Sequence, residues 1–323
     1  MSKTKSQKLR QLIDAEEPLI LPYGACALHA RMAERMGFKA VALSGGWASV
    51  FFMGHPDASL ISLPELTMIA RAMALRTDIP VIADADQGFG NAVNTYYAIR
   101  AFINAGVAGV HLEDQPYPKR CGFVEGKEVI PMEEMVGKLC AAQEARKEMD
   151  PDFVIIARVD SLTAVGGGMD ETIRRCKAYR KDGGADVLYI EGPSTTEEMR
   201  HIRAAVEGPL FCSLNAVIPH PSVEELRDLG QCIVQLAEMI CEPGIIASWD
   251  LLERYQARGM AAWNEFMEQT HDHPLARLRH FDLVGFPEIR ELEEKYLPKK
   301  NLDKYAQSSG LYKFDRRRPT WRT

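Results

Sequence analysis

The run Val81-Ile82-Ala83-Asp84-Ala85-Asp86-Gln87-Gly88-Phe89-Gly90 carries an apolar stretch straight into two aspartates and a glycine-rich turn. Alternate residues at a strand end face the same way, so Asp84 and Asp86 are expected to converge. Two carboxylates side by side repel each other unless a proton or a cation sits between them. A second run, Gly109-Val110-His111-Leu112-Glu113-Asp114-Gln115, repeats the arrangement, and Glu113 can join the pair around one hard cation. Oxygen ligands with few protein contacts suit Mg²⁺, with Mn²⁺ the alternative, and leave positions for water and substrate oxygens. The plainer reading makes Asp84 a helix cap and leaves Asp86 solvated. His111, inside the apolar part of its run, reads as a hydrogen-bonded core residue rather than a ligand.

Such residues need a scaffold that brings several strand ends together. Strand-like runs occur at 19–23, 40–43, 81–84, 109–113, 153–158, 186–191, 210–214 and 232–236. Most are continuously apolar, as expected of parallel strands buried on both faces. Helical patterns fall between them at 64–75, 94–105, 131–147, 196–205 and 222–229, the last two opening at a Ser or Thr cap. Strand–helix alternation means a parallel α/β protein. Polar residues recur at the C-terminal ends of many strands, which favours a closed (β/α)₈ TIM barrel over a doubly wound sheet. After about residue 245 the alternation gives way to helices at 248–269 and 286–296. Residues 1–295 therefore read as one catalytic barrel with C-terminal helices, and 296–323 as a basic extension. That extension reads as solvated, or as an arm across a neighbouring subunit.

The chain has 323 residues and a formal net charge of −6, which argues against a nucleic-acid or anionic-membrane surface. Its seven cysteines are irregularly spaced and include no CxxC pair, so a reducing, cytoplasmic setting is expected rather than a disulfide framework or zinc site. The polar N-terminal stretch lacks the apolar core of a signal peptide, and no run reaches membrane-spanning length.

Ser44-Gly45-Gly46, Gly54-His55-Pro56-Asp57, the 83–90 run, Glu113-Asp114-Gln115, Pro118-Lys119-Arg120-Cys121-Gly122 and Ile156-Ala157-Arg158 occur in this order. Together, over residues 8–245, they resemble the isocitrate lyase/phosphoenolpyruvate mutase superfamily. The similarity is greatest to its short-chain members: methylisocitrate lyase, dimethylmalate lyase and carboxyphosphonoenolpyruvate mutase. The resemblance implies a barrel whose last helix is exchanged between subunits of a homodimer or homotetramer. It implies that Asp84, Asp86 and Glu113 hold Mg²⁺, partly through water, with Asp57 behind them. Ser44, Gly45 and Gly46 would cradle the substrate carboxylate, Arg158 would bind a carboxylate, and Glu191 would help position the substrate. Lys119 and Cys121 would ride on a mobile lid, Cys121 being the general acid, with a thiolate favoured by the nearby cations. Ser213 and Asn215 would bind the distal part of the substrate.

The departures concern that distal part. Phe123 stands where the lyases usually have histidine, and Leu43 where methylisocitrate lyases have tyrosine. Ala25-Cys26-Ala27-Leu28-His29-Ala30 replaces the usual Tyr-Asp-Ala-Leu-Ser-Ala, Val159-Asp160 replaces Thr-Asp, and Asn215 comes two places late on strand seven. The resemblance thus implies a Mg²⁺-dependent carbon–carbon lyase acting on a small 2-hydroxy di- or tricarboxylate other than methylisocitrate. Its base is open between Glu191 and a metal-bound water. A phosphoryl-rearranging mutase or an oxaloacetate-cleaving enzyme fits the same motifs. A barrel that only binds a small acid would leave buried carboxylates uncompensated.

Overall fold

The computed structural model describes residues 3–305 and 308–312; residues 306–307 and 313–323 of the basic C-terminal stretch lie outside them. Eight parallel strands close into a barrel in sequence order, with the last pairing to the first. They are β1 (Leu19–Gly24), β2 (Val41–Leu43), β3 (Val81–Asp84), β4 (Gly109–Glu113), β5 (Val154–Val159), β6 (Val187–Ile190), β7 (Leu210–Ser213) and β8 (Gln231–Leu236). Every residue of β2 to β7 is buried, which is why these segments read as apolar runs without alternation.

Two cores flank the strands. Outside, Val41, Leu43, Val81, Val110, Leu112 and Ile155 pack with residues of the surrounding helices, such as Leu66, Ile99, Leu139 and Tyr179. Inside, Leu21, Ile82, Ile156, Val187, Phe211 and Ile233 cluster with Leu9 and Ile13 of the N-terminal helix Lys5–Ile13. A Cβ at Gly109, the first residue of β4, would lie 3.2 Å from Leu9 and 2.7 Å from the Val154 carbonyl. This helix therefore closes the floor of the barrel, leaving the C-terminal mouth open for chemistry.

Register decides which side chains reach that mouth. Asp84 lies beside His111, Glu113 beside Arg158, and Arg158 beside Tyr189. Paired residues of neighbouring strands face the same side, and alternate residues of one strand do too. Asp84, His111, Glu113, Arg158 and Tyr189 consequently form one inward-facing band.

The helices 64–75, 94–105, 131–147 and 222–229 occur as Leu63–Arg76, Ala92–Ala105, Met132–Met149 and Val223–Asp228. Thr196–Ala205 starts where expected, although its cap is Thr195, whose hydroxyl accepts from the Glu198 amide. The stretch 248–269 differs. It is two helices, Cys241–Arg258 and Met260–Gln269, broken at Gly259, whose φ of 57° is incompatible with a continuous right-handed helix. The segment after 296, which shows no periodicity, holds a short helix, Lys299–Tyr305.

The chain forms two compact units, dividing after Glu242. The first contains the barrel. The second is helical and includes a cluster of Phe281, Phe286 and Tyr312 with ring centroids 5.3–5.5 Å apart. Among the described residues, no helix is long and apolar enough to cross a membrane.

Candidate active site

A pocket of about 200 Å³ opens among the C-terminal strand ends of the first unit. It is small beside the roughly 300–1,000 Å³ of drug-sized sites, so it suits an acid of a few carbons. Ser44, Gly46, Asp57 and Asp84 line it from β2, β3 and the loop after β2, and Cys121, Gly122 and Phe123 from the segment after β4. Arg158, Tyr189, Glu191, Gln235 and Glu238 complete the wall from β5, β6 and β8.

Asp84 and Asp86 converge, though not by strand alternation. Asp84 ends β3, whereas Asp86 sits in a turn with φ 46°. The Gly45 amide donates to Asp84 Oδ2 at 3.1 Å and the Asp86 amide to Asp84 Oδ1 at 2.9 Å. A Cβ at Gly45 would sit 3.0 Å from Asp84 and 3.1 Å from Asp86, so a larger residue would crowd both carboxylates. The Gly45 amide is therefore committed to Asp84, and only Ser44 and Gly46 of the expected cradle line the pocket.

Lys119 lies at the centre of this group. Its ammonium is 2.9 Å from Asp57 Oδ1, 2.9 Å from Asp86 Oδ1 and 3.8 Å from Glu113 Oε1, and it is buried. Burial works against its charge, but Asp86, Glu113, Asp84 and Asp57 hold its pKa well above the usual lysine value. One ammonium does not balance them. Burial, with Asp84 and Asp57 adding to it, pushes Asp86 up to about 6 despite Lys119. Burial likewise raises Glu113 well above the usual carboxyl range against Lys119 and Arg158. Asp84 goes the other way: burial opposes its ionisation, yet His111, Lys119 and Arg158 hold it at about 2.

These donors fit a divalent cation. Both Glu113 oxygens are buried with no hydrogen-bond partner, and Asp86 Oδ1 meets the monovalent Lys119 ammonium at 2.9 Å. Among the described residues, no three such side chains converge closely enough to clamp an ion unaided. A hard cation here would take much of its coordination from water and substrate oxygens, as Mg²⁺ commonly does.

His111 departs from expectation. It is buried, but neither ring nitrogen has a hydrogen-bond partner; Nδ1 lies 3.5 Å from Asp84 Oδ1, and the ring faces the pocket. Burial lowers its pKa to about 4 against the pull of Asp84, so the ring is neutral at pH 7.

A second network positions Arg158. Its Nε and Nη2 donate to Asp160 at 2.8 and 3.0 Å, while Glu113 and Glu191 lie 3.4 and 3.6 Å away. Asp160 also accepts from Lys127 at 3.0 Å and Gln115 at 3.1 Å. Its amide donates to Asp114, which accepts in turn from Arg175 and Tyr179. Gln115 further clasps the lid, accepting from the Arg120 amide and donating to the Arg120 carbonyl, both at 3.0 Å. At the lid's tip, a Cβ on Gly122 would come within 2.5 Å of Arg158 Nη2 and 3.0 Å of Glu191. Only glycine allows so close an approach, and it brings Cys121 into the pocket wall. Burial raises the Cys121 pKa, so the expected thiolate is corrected: the thiol keeps its proton at neutral pH.

Of the distal residues expected, Glu191 lines the pocket, with Oε2 accepting from the Tyr189 hydroxyl and Oε1 buried without a partner. Ser213 and Asn215 do not line it. Ser213 is buried beside β8, and Asn215 donates to Glu238, which does reach the pocket. Sequence reasoning passed over Tyr23, Trp47, Tyr189, Gln235 and Glu238. The signals were faint: Tyr23, Tyr189 and Gln235 each sit near the C-terminal end of a strand run, where barrel sites are built.

Residues 9–245 match the family model described as phosphoenolpyruvate phosphomutase. The chain is 34% identical over 299 residues to 2,3-dimethylmalate lyase of Eubacterium barkeri, covering 90% of this chain and 97% of that one. It is 32% identical over 280 residues to 2-methylisocitrate lyase of Aeropyrum pernix, covering 86% of each. Among solved structures, one of 2,3-dimethylmalate lyase aligns with a TM-score of 0.82 at 27% identity, covering 91% of this chain and 96% of the other. Phosphonopyruvate hydrolase, solved with oxalate and Mg²⁺, aligns at 0.79 with 30% identity, covering 92% and 100%.

The raised carboxyls carry a pH signature. Between pH 3.8 and about 6 the native protein keeps a proton on Asp86 that the unfolded chain has released. Unfolding free energy therefore falls as pH rises through that window, and Glu113 acts in the same sense. His111, neutral in the native protein but protonated in the unfolded chain between about pH 4 and 6.5, acts in the opposite sense. It partly offsets the drop in melting temperature that Asp86 and Glu113 give chelator-treated protein between about pH 4 and 6. Asp86→Asn should flatten that drop in a scanning-calorimetry pH series, and an unchanged slope would contradict the assignment.

Proposed function

The chain belongs to the phosphoenolpyruvate phosphomutase family, and on that premise we propose that it is a divalent-metal-dependent carbon–carbon lyase. Its substrate would be a small 2-hydroxy di- or tricarboxylate, cleaved by a retro-aldol route, in keeping with its similarity to 2,3-dimethylmalate lyase and 2-methylisocitrate lyase. The observation that carries this reading is Cys121, a lid thiol that lines the pocket and that burial keeps protonated. Mg²⁺ is the proposed ion, with Mn²⁺ able to replace it.

Asp84, Asp86, Glu113 and Asp57 would hold the ion, partly through water. When bound, it would act as a Lewis acid on the 2-hydroxy-acid end of the substrate and neutralise charge there. Ser44 and Gly46 border the same end and orient its carboxylate. Arg158, held by Asp160, faces the second carboxylate, where negative charge grows as the bond opens. Glu191 is the base: its partnerless Oε1 takes the hydroxyl proton as the carbonyl of the departing 2-oxo acid forms. The electron pair of the breaking carbon–carbon bond passes into an enolate-like carboxylate, and Cys121 donates its proton to the carbon. Proton transfer from Glu191 to the thiolate, directly or through solvent, resets both groups. Gly122, packed on Arg158 and Glu191, lets the lid close tightly enough to exclude water from the reacting carbon.

The same proposal extends to assembly as a homodimer or homotetramer with exchanged C-terminal helices. Within the helix Cys241–Arg258, Ile246, Trp249 and Leu252 are 53%, 67% and 65% exposed, an apolar surface of the kind subunit contacts cover.

Chelator-treated protein should be inactive on 2-hydroxy dicarboxylates and regain 2-oxo-acid release with Mg²⁺, while Asp84→Ala and Glu113→Ala stay inactive. Full turnover in excess chelator would end the metal reading. Cys121→Ser should retain the fold and substrate affinity but lower kcat by about 10²–10⁴, the scale of a lost general acid. A kcat near that of the unsubstituted enzyme would instead favour phosphoryl rearrangement, which needs no proton on carbon. Light scattering at micromolar concentration should give at least a dimer, and a strict monomer would refute the exchanged helix.

A further inference from the structure

Arg158 is the only lysine or arginine among the pocket-lining residues described, and its guanidinium is already shared by Asp160, Glu113 and Glu191. Lys119 lies behind the wall between Asp57 and Asp86, and His111 sits at the metal end with its Nδ1 3.5 Å from Asp84. Beyond the metal end, the pocket therefore offers cationic help to one substrate carboxylate and no more.

The side of the mouth opposite β3 is built from β6 and β8, which flank β7. It presents two carboxylates, Glu191 and Glu238, among neutral amide and hydroxyl groups, with no cation among its described residues. Gln235 Oε1 and Glu191 Oε2 share the single proton of the Tyr189 hydroxyl. Just beyond β8, Glu238 is half-buried in the wall, with Asn215 donating to its Oε1. The indole N–H of Trp47 is spent on the Ala237 carbonyl at 2.8 Å, so that ring adds only an apolar flank, as does Phe123. On neighbouring β1, the Tyr23 hydroxyl lines the same pocket, is 2% exposed, and has no hydrogen-bond partner. A neutral hydroxyl lining the same pocket as the Glu238 carboxylate matches a substituent that both donates and accepts.

We infer that Glu238 sets specificity at this wall, which receives an uncharged hydrogen-bond-donating substituent, a carboxamide or hydroxyl, and rejects a third carboxylate. The inference rests on the lyase reading above and narrows its substrate from di- or tricarboxylates to dicarboxylates bearing such a group. An anion placed there would meet Glu238 with no cation free to offset it, unless Glu238 first took up a proton. An amide N–H or a hydroxyl would donate to Glu238 at no such cost, and Tyr23 could serve its oxygen.

The test uses isothermal titration calorimetry of the full-length protein with Mg²⁺ at neutral pH, so turnover is not needed. The probes are isocitrate, its isosteric amide 3-(carbamoylmethyl)malate, and oxalate, which is too short to reach the far wall. The amide is expected to bind about tenfold or more tightly than isocitrate. Glu238→Gln should narrow that ratio, and Glu238→Lys should reverse it, with thermal melts showing that each variant is folded. Should the lysine variant fail to fold, the conservative glutamine variant decides. Equal or tighter binding of isocitrate by the unsubstituted protein, or a ratio that Glu238→Gln leaves unchanged, overturns the inference. If oxalate binds but the amide shows no preference, only this inference falls. If oxalate does not bind, the metal-end reading falls and takes this one with it.

Discussion

Negative charge concentrated at the barrel mouth governs this molecule. Asp84, Asp86 and Glu113 are buried and Asp57 half-buried around one lysine ammonium, a grouping that would be strongly unfavourable without a cation. The lysine comes from the lid, two residues before Cys121. The segment that carries Cys121 thus also supplies the charge that compensates these carboxylates, and any cation that binds them competes for the role of Lys119. The rigid barrel makes this possible, because strand ends fixed by register cannot move apart to relieve the repulsion.

A second layer keeps the one pocket-lining arginine in place. Asp160 receives Arg158 in two-point contact and also holds Lys127 and Gln115, while Asp114 anchors the Asp160 amide. Gln115 passes this order to the lid through both backbone groups of Arg120. The lid is thus held from two sides, by charge through Lys119 and by neutral hydrogen bonds through Gln115. Between these anchors Gly122 supplies the close approach that sets Cys121 at the pocket wall.

The two ends of the pocket differ in chemical character. The end near β2 and β3 gathers carboxylates that call for a metal ion, the feature of the motifs that resemble the lyases. The end near β6 and β8 is a wall of carboxylates, neutral polar groups and aromatic rings around Glu238. Of the segments that depart from the lyase pattern, Phe123 flanks the second end and Asn215 donates to Glu238 there.

Eight strands and the acidic run ends Asp84, Asp86 and Glu113 were legible in the sequence because each is a local signal. Continuous apolar runs mark strands buried on both faces, and acidic groups at run ends mark the barrel mouth. Other features needed the tertiary structure. The proximity of Lys119 to Asp57 and Asp86 spans a long loop, and no local pattern encodes it. Whether His111 was a satisfied core residue or a neutral ring facing the pocket depended on which neighbours β3 and β5 brought alongside. Burial, not the nearby cations, fixed the protonation of Cys121, and burial depends on how the segment after β4 packs over the pocket. Glu238 follows its strand by two residues with no motif around it, and becomes part of the site only because barrel closure returns β8 beside β1. Short-range pattern carried the fold and the acidic strand ends, whereas long-range packing and desolvation decided what each side chain faces and which protons it holds.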